Sequence, residues 1–275
     1  MSFIEIKNIT KCYGKRSVLG GVSLSVEEGE FVTIVGTSAS GKTTFMRIVS
    51  GLEKPDLGSV AIAGVAVVGF PLGASIVFQN YSLLPWLSAF ENVRLAVDAA
   101  FPEWTSAQKD EQVHKYLGLV GLGAAHAKKP RQLSGGMRQR VAIARAFAVE
   151  PRILFLDEPF GALDALTRAT LQDELSKLCE AQQPKATVLM ISNSVDEALL
   201  LSDRVLALGP GPGSTLSAAA PVNLPRPRKS DALMHDDEAV AVRAAITEML
   251  MAGHKKKTGS GAAPGARTVI AEAKV

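Results

Sequence analysis

The stretch GTSASGKTT at residues 36–44 decides the fold of this chain, because the apolar run FVTIV precedes it and the helix-compatible run FMRIVSGL follows it. A strand, a glycine-rich loop and a helix in this order are typical of a phosphate-binding loop. Its glycines allow the backbone to wrap around an anion, with amides and a helix N-terminus directed at it. Lys42 then reaches terminal phosphates and the Thr43 hydroxyl completes a magnesium shell. The predicted ligand contacts are Gly36, Thr37, Ser38, Ala39, Ser40, Gly41, Lys42, Thr43 and Thr44.

Length and composition indicate a globular protein. The chain has 275 residues, of which 47% are hydrophobic and 21% charged, enough for one large domain or one domain with subdomains. We expect no membrane-spanning helix and no signal peptide. Cys12 and Cys179 form no metal or redox spacing, so we interpret them as structural thiols of a protein in the reducing cytoplasm. A net charge of +3 with 5% aromatic residues argues against a nucleic-acid partner.

Two kinds of strand pattern predict two kinds of sheet. Apolar and polar residues alternate through the first thirty positions, which predicts half-exposed antiparallel strands. The continuous apolar runs ILFL from Ile153 and TVLMI from Thr187 have the length and β-branched content of strands buried on both faces. Helical patterns dominate residues 85–148. We therefore predict an α/β fold with a parallel core sheet, an antiparallel β subdomain and a helical subdomain.

The C-terminal part of the sequence predicts the end of the main domain, followed by one helix and a tail. We place a nucleotide-binding domain over residues 1–230, which ends in PRPRKS, interpreted as a linker. A helix over residues 231–253 follows, with Asp236 or Asp237 as its N-cap, and packing is favoured over a regulatory role for it. Residues 254–275 are rich in Gly, Ala, Ser and Lys, which predicts a disordered tail. The apolar face of the helix carries Val242, Ile246, Met249 and Leu250.

A second glycine motif, LSGGMRQR at residues 133–140, also opens a helix. Ser134, Gly135 and Gly136 lie at its start, where free amides and the helix dipole favour an anion. One chain has no obvious use for two such sites around one phosphate chain. The run ILFLDEP adds two carboxylates, Asp157 and Glu158, at the end of a buried strand.

With these motifs in this order, residues 3–213 resemble the nucleotide-binding subunit of an ABC transporter, an ABC-type P-loop ATPase that uses ATP and Mg²⁺. The resemblance implies that Asp157 holds magnesium through water and that Glu158 polarises the attacking water. Gln79, in VFQNYSLLPW, matches the glutamine that reaches magnesium and water. Tyr13 matches the residue whose ring stacks on adenine, and an ordinary tyrosine at a strand end is the alternative.

The resemblance also implies partners. Two ATPase subunits, identical or different, pack head to tail, so that each signature motif closes on the γ-phosphate held by the other subunit. Asp164, in GALDALTR, resembles a residue that lies across that interface. A membrane permease and, indirectly, a substrate-binding protein complete the system, which implies a peripheral position at the cytoplasmic face of the inner (plasma) membrane.

One position departs from the family pattern. A histidine that contacts the γ-phosphate usually follows the third core strand, but MISNSVDEAL has Asn193 there. Asparagine donates a neutral hydrogen bond and cannot carry charge or relay a proton. Three explanations compete. This chain is the weaker half of a heterodimer, it is an enzyme that relies on Glu158 and tolerates Asn193, or it is a deliberately slow ATPase. We favour the second, because Lys42, Asp157, Glu158 and the signature are all present. Lys42, Glu158, Gln79 and Asn193 are the predicted catalytic residues, and Thr43, Gln79 and Asp157 the predicted metal contacts.

The region QNYSLLPWLSAFENV resembles importer ATPases for nitrate, cyanate, bicarbonate, taurine and aliphatic sulfonates. Leu84, Pro85 and Trp86 would face the membrane subunit, with a core position as the alternative for the tryptophan. The predicted function is ATP hydrolysis that drives import of a small anion such as nitrate. A soluble ABC ATPase without a transport role and a slow nucleotide-sensing subunit are the alternatives.

Overall fold

The structure, a computed structural model, describes residues 2–230 and 232–258. Two sheets form its frame, one antiparallel with four strands and one mostly parallel with six. The strands, in chain order, are β1 (Ile4–Tyr13), β2 (Arg16–Val26), β3 (Phe31–Val35), β4 (Leu57–Ile62), β5 (Val65–Ala66), β6 (Ala74–Val77), β7 (Ile153–Asp157), β8 (Thr187–Ser192), β9 (Arg204–Ala207) and β10 (Ala220–Pro221).

The mostly parallel sheet has the strand order β10-β9-β3-β8-β7-β6, with only β10 antiparallel to its neighbour. Every residue of β3, β7 and β8 is buried, as the continuous apolar runs predict. Alternate side chains enter two different cores: Leu154 and Leu156 pack in one, and Ile153 and Phe155 in the other. Because parallel strands end on the same side, β3, β7 and β8 bring the ends of three predicted motifs together.

The antiparallel sheet has the strand order β2-β1-β4-β5, and its buried side chains share one core with the mostly parallel sheet. Its β1 and β2 pair as the predicted antiparallel strands, and they meet at a turn where Tyr13 lies opposite Arg16. The sequence patterns did not predict β4, β5 or β6. Only one residue of β4, one of β6 and none of β5 is buried, so neither clear alternation nor a continuous apolar run marks these strands.

Seven α-helices accompany the sheets in the described residues, and three of them lie within residues 85–148, the predicted helical insert. A capping box begins the first insert helix, at Ser88 and Glu91, and another begins the second, at Thr105 and Gln108. No described helix is long and apolar enough to cross a membrane. The α-helices are α1 (Lys42–Val49), α2 (Ala89–Ala100), α3 (Ser106–Leu119), α4 (Gly135–Phe147), α5 (Ala165–Ala181), α6 (Val195–Leu201) and α7 (Asp237–Thr258).

The segment PRPRKS is not a linker, contrary to the sequence-based interpretation. Arg228 is buried, and its guanidinium donates hydrogen bonds to the carbonyls of Leu199, Ser202, Val222 and Leu224. Burial lowers the pKa of Arg228 to about 10. A buried arginine needs these acceptors, because an unpaired charge in the interior is strongly unfavourable. The segment therefore fastens the C-terminal part to the end of α6.

The C-terminal helix α7 packs on α6 and β9, and Arg243 pairs with Asp196 at 2.9 Å. The carboxylate of Asp236 accepts a hydrogen bond from the amide of Ala239, so Asp236 caps the helix. The helix continues to residue 258, beyond the predicted end at 253, and residues 259–275 of the predicted tail lie outside the described residues.

Candidate functional site

The phosphate-binding loop joins β3 to α1 and leaves the helix N-terminus open. Gly41 is the N-cap of α1, with φ +98° and no side-chain cap. Ala39 has φ +64°, a left-handed conformation that is unfavourable for alanine by about 1 kcal/mol relative to glycine. A side chain at Gly36 would place its Cβ 2.8 Å from Ser40 Oγ. The loop therefore needs glycine at Gly36 and Gly41 and holds Ala39 in a strained conformation.

Lys42 lies inside this loop. Its ammonium donates to the carbonyls of Gly36 at 3.0 Å and Thr37 at 3.1 Å, and to Asn193 Oδ1 at 2.8 Å. The side chain is 4% exposed, and burial lowers its pKa while the nearby charge of Glu158 opposes that effect. A buried cation surrounded by carbonyl oxygens is suited to an anionic ligand that can replace some of these contacts.

Glu158 follows β7 and lies between two predicted partners. Its Oε1 is 3.5 Å from Lys42 Nζ, and its Oε2 accepts a hydrogen bond from Gln79 Nε2 at 3.2 Å. Its φ of +46° is left-handed, and its amide bonds the carbonyl of Ile191 on β8. Such a backbone, held by its surroundings, is common where a side chain must be aimed at a ligand.

One pocket contains most of the predicted contacts. Arg16 and Val18 also line it and were missed by sequence reasoning, although Arg16 follows Tyr13 and Gly14 in the β1–β2 turn and carries the charge a phosphate attracts. Gly36, Thr37 and Ser40 shape the loop behind the pocket. The pocket is lined by Tyr13, Arg16, Val18, Ser38, Ala39, Gly41, Lys42, Thr43, Thr44, Gln79, Glu158 and Asn193.

The predicted metal contacts Thr43, Gln79 and Asp157 line an adjoining pocket. Asp157 is buried, and its Oδ1 has no hydrogen-bond partner. Burial, and then the charge of Glu158, raise the pKa of Asp157 to about 6. No cluster of three His, Cys, Asp or Glu able to hold a metal occurs among the described residues. A buried carboxylate with one unpaired oxygen, beside the Thr43 hydroxyl, nonetheless fits Mg²⁺, which binds through one or two protein oxygens plus phosphates and water.

Tyr13 lies at the edge of the same pocket, at the end of β1. Its ring is 47% exposed, and the Lys11 ammonium is 5.5 Å from the ring centroid. Its hydroxyl donates to Glu53 Oε1 at 2.5 Å. Burial, followed by that carboxylate, raises the pKa of Tyr13, so the phenol stays protonated at neutral pH. Tyr13 is thus a half-exposed aromatic residue beside the phosphate loop.

The signature residues do not line either pocket. Ser134 is the N-cap of α4, and its hydroxyl accepts the amide of Met137 at 3.2 Å. A Cβ added to Gly136 would lie 2.4 Å from Cγ2 of Thr167, whose amide donates to Asp164. That backbone bond lowers the pKa of Asp164. The signature and Asp164 thus lie close together, apart from the residues around Lys42.

The segment after Gln79 connects these two regions. Tyr81 and Ser82 both have positive φ, +64° and +46°, and Arg145 on α4 donates to both of their carbonyls, at 3.0 and 2.7 Å. The guanidinium of Arg138, also on α4, lies 5.4 Å from the Tyr81 ring centroid. The loop that carries Gln79 is therefore fixed to the helix that begins at the signature.

The family described as ABC transporter matches residues 19–161. The bicarbonate transport ATP-binding protein CmpD of Synechococcus elongatus is 44% identical over 245 residues, which are 88% of this chain and 87% of CmpD. The nitrate import ATP-binding protein NrtD of the same species is 45% identical over 83% of each chain. CmpC of Synechocystis sp., also a bicarbonate transport ATP-binding protein, is 43% identical, but this chain spans 38% of its length.

Solved structures agree with the sequence relatives. A dimeric ATP-binding cassette described as a post-hydrolysis state bound to ADP and Pi has a TM-score of 0.71 and 31% identity, over 80% of this chain and 99% of that chain. A dimeric bacterial ABC transporter cassette has a TM-score of 0.69 and 32% identity. The predicted fold class is thereby confirmed, and the chain belongs to the ABC transporter family as an ATP-binding cassette.

Proposed function

We propose that this chain hydrolyses ATP to drive import of a small anion, such as nitrate or bicarbonate, through a membrane permease. The proposal rests on one observation: the pocket at the phosphate loop is lined by Lys42, Gln79, Glu158 and Asn193. The names of CmpD and NrtD support transport of such an anion. They do not favour a soluble ATPase without a transport role or a slow nucleotide sensor.

Each predicted residue has a role that its position supports. The open N-terminus of α1 and the Lys42 ammonium bind the phosphates. Thr43 and Asp157, with Gln79 beside them, would hold Mg²⁺, which when bound neutralises charge on the phosphate oxygens. Glu158 accepts the proton of the attacking water, and the bond from Gln79 to its Oε2 orients the carboxylate at the pocket.

Asn193 bonds Lys42 through Oδ1, which leaves its amide hydrogens as donors for a terminal phosphate. It can therefore supply the hydrogen bond of the usual histidine without its charge. We propose that hydrolysis relies on Glu158 and tolerates this replacement.

The complete site needs a second subunit. Ser134, Gly135, Gly136 and Asp164 are absent from the linings of both pockets around the phosphate loop. Each chain has one phosphate loop and one signature, so two copies in head-to-tail contact make two complete sites. We propose this homodimer, in which ATP closes the interface and hydrolysis reopens it.

The permease would bind near Trp86. This residue is 65% exposed, which excludes a core position, and an exposed tryptophan is a good anchor for a partner helix. The chain would lie at the cytoplasmic face of the inner membrane, and the substrate-binding protein would act on it only through the permease.

Hydrolysis and transport are tested together by expressing the chain with a candidate permease for nitrate or bicarbonate. The complex should co-purify, hydrolyse ATP and import labelled nitrate or bicarbonate in cells, and Glu158→Gln should stop import while an ATP-bound dimer accumulates. Hydrolysis with no permease association and no anion uptake would leave the soluble role instead.

A further inference from the structure

The Tyr13 side of the pocket is held in place by the carboxylate of Glu53, which is not among the predicted site residues. Glu53 follows α1 by four residues, and its amide donates to the carbonyl of Arg47, on α1, at 3.0 Å. Its side chain is 16% exposed, and its Oε1 accepts the Tyr13 hydroxyl at 2.5 Å. Tyr13 is thus bonded to a residue that the phosphate-loop helix holds in place.

Two cations keep this carboxylate charged and oriented. Lys11 Nζ is 3.2 Å and Arg47 Nε 3.7 Å from the Glu53 carboxylate. Burial would raise the pKa of Glu53, but the bond from Tyr13 and the charges of Lys11 and Arg47 hold it below its usual value. The carboxylate is therefore an ionised acceptor for the phenol at neutral pH.

Further bonds join the end of β1 to the segment after α1. Lys11 Nζ donates to the carbonyl of Lys54 at 2.8 Å, and the amide of Cys12 donates to Asp56 at 2.7 Å. The Tyr13 ring, the Glu53 carboxylate and the phosphate-loop helix consequently form one connected unit. A ring held at its hydroxyl has lost rotational freedom before a ligand arrives, which strengthens binding.

We propose that Glu53 is a positioning residue, which holds the Tyr13 ring at the angle and distance required to stack on the base of a nucleotide whose phosphates lie in the phosphate loop. This inference rests on the proposed function. Acting through the Tyr13 hydroxyl, Glu53 strengthens binding of the base and leaves binding of the phosphates unchanged.

Two ligands separate these effects: magnesium ATP, and magnesium tripolyphosphate, which has no base. Their affinities are measured by calorimetry in a Glu158→Gln background, so that ATP is not consumed. Glu53→Ala should weaken ATP binding about 3- to 10-fold, and leave tripolyphosphate binding within about twofold. Glu53→Gln, which keeps an oxygen acceptor for the phenol, should restore most of the ATP affinity. Glu28→Ala removes a remote carboxylate paired with Arg152 and is the matched control.

A double-mutant cycle tests transmission through the hydroxyl. In a Tyr13→Phe background the phenol is gone, so Glu53→Ala should weaken ATP binding no further. Equal weakening for ATP and tripolyphosphate, or an undiminished effect in the Tyr13→Phe background, would overturn the positioning role. Failure of both ligands to bind the parent chain would instead overturn the proposed function, so the two failures are distinguishable.

Discussion

Two helix N-termini in this molecule are prepared for an anion in opposite ways. At α1 the N-cap is Gly41, which offers no side-chain acceptor, and Lys42 is buried in the loop with Asn193 and Glu158 around it. At α4 the N-cap is Ser134, whose hydroxyl already accepts an amide. At α1 a buried lysine from the same chain lies inside the loop, whereas Ser134, Gly135 and Gly136 line neither of the two pockets around that loop. The difference is what the proposed head-to-tail dimer would require, in which the second N-terminus acts on a ligand that the other subunit holds.

The Gln79 loop lies between these two regions and can connect them. Arg145 holds two successive left-handed residues, Tyr81 and Ser82, by their carbonyls. A shift of Gln79 upon ligand binding would therefore move α4, which begins at the signature. Under the proposed function, this connection would let occupancy of the first site change the orientation of the second.

The largest expected effect concerns the site around α1. Glu158→Gln should lower the kcat of ATP hydrolysis by about 10²- to 10⁴-fold, because a general base is lost, while ATP still binds. Steady-state phosphate release and ATP binding are measured on the same sample. Glu103→Gln, an exposed carboxylate outside the pocket, is the control and should retain the parent rate. Retained turnover in Glu158→Gln would show that another group activates the water.

Ser134→Ala changes the site at α4. Loss of one transition-state donor should lower kcat by about 10²- to 10³-fold, while the affinity of the separate chain for ATP stays constant. Thr105→Ala is the matched control, since Thr105 caps α3 of the same insert in the same way. Both variants lose about 1 kcal/mol of cap stability, so melting temperatures should fall equally. If the two variants lose turnover equally, Ser134 acts only as a helix N-cap and not in catalysis.

Asn193→His tests how far the first site depends on the usual histidine. Because Asn193 already bonds Lys42 and offers amide donors, we expect the basal ATPase rate of the dimer to rise less than about tenfold. Initial rates at saturating ATP decide this. A gain of several hundredfold would mean that the asparagine cripples hydrolysis.

The last expected effect is on stability rather than on the rate of hydrolysis. The pKa of Asp157 is raised to about 6, so the folded state binds a proton that the unfolded state, with an ordinary pKa near 3.8, releases. Its contribution is favourable at acid pH and is lost as the pH rises through about 6. Asp157→Asn should therefore stabilise the magnesium-free protein at pH 7 by up to about 3 kcal/mol. Denaturant unfolding at pH 5 and 7 measures this, and a variant that is less stable at both would contradict it.

Much of the fold could be predicted because its signals are local. FVTIV, ILFL and TVLMI are continuous apolar runs, and the structure buries all three in one parallel sheet. In contrast, β6 is a four-residue edge strand whose place depends on pairing with β7, about 80 residues later. Arg228 looked like part of a solvated linker because the carbonyls that bury it come from distant segments.

The candidate site likewise contains residues that local motifs identify and residues that only the fold brings there. Motif residues such as Lys42 and Glu158 were identified from spacing, and the structure brings them to one pocket. Arg16 and Glu53 carry no motif, and only the hairpin and the turn after α1 place them beside Tyr13 and the phosphate loop. Long-range placement, rather than residue type, makes them relevant.

The central claim, that each site takes its signature from the other subunit, is tested most directly by mixing two inactive variants. Lys42→Ala disables the phosphate loop and Ser134→Arg disables the signature. After unfolding and refolding together in equal amounts, half of the dimers contain one chain of each kind and one intact site, so about a quarter of the parent activity should return. If the signature acts within its own chain, every site remains defective, and the mixture should be as inactive as the separate variants.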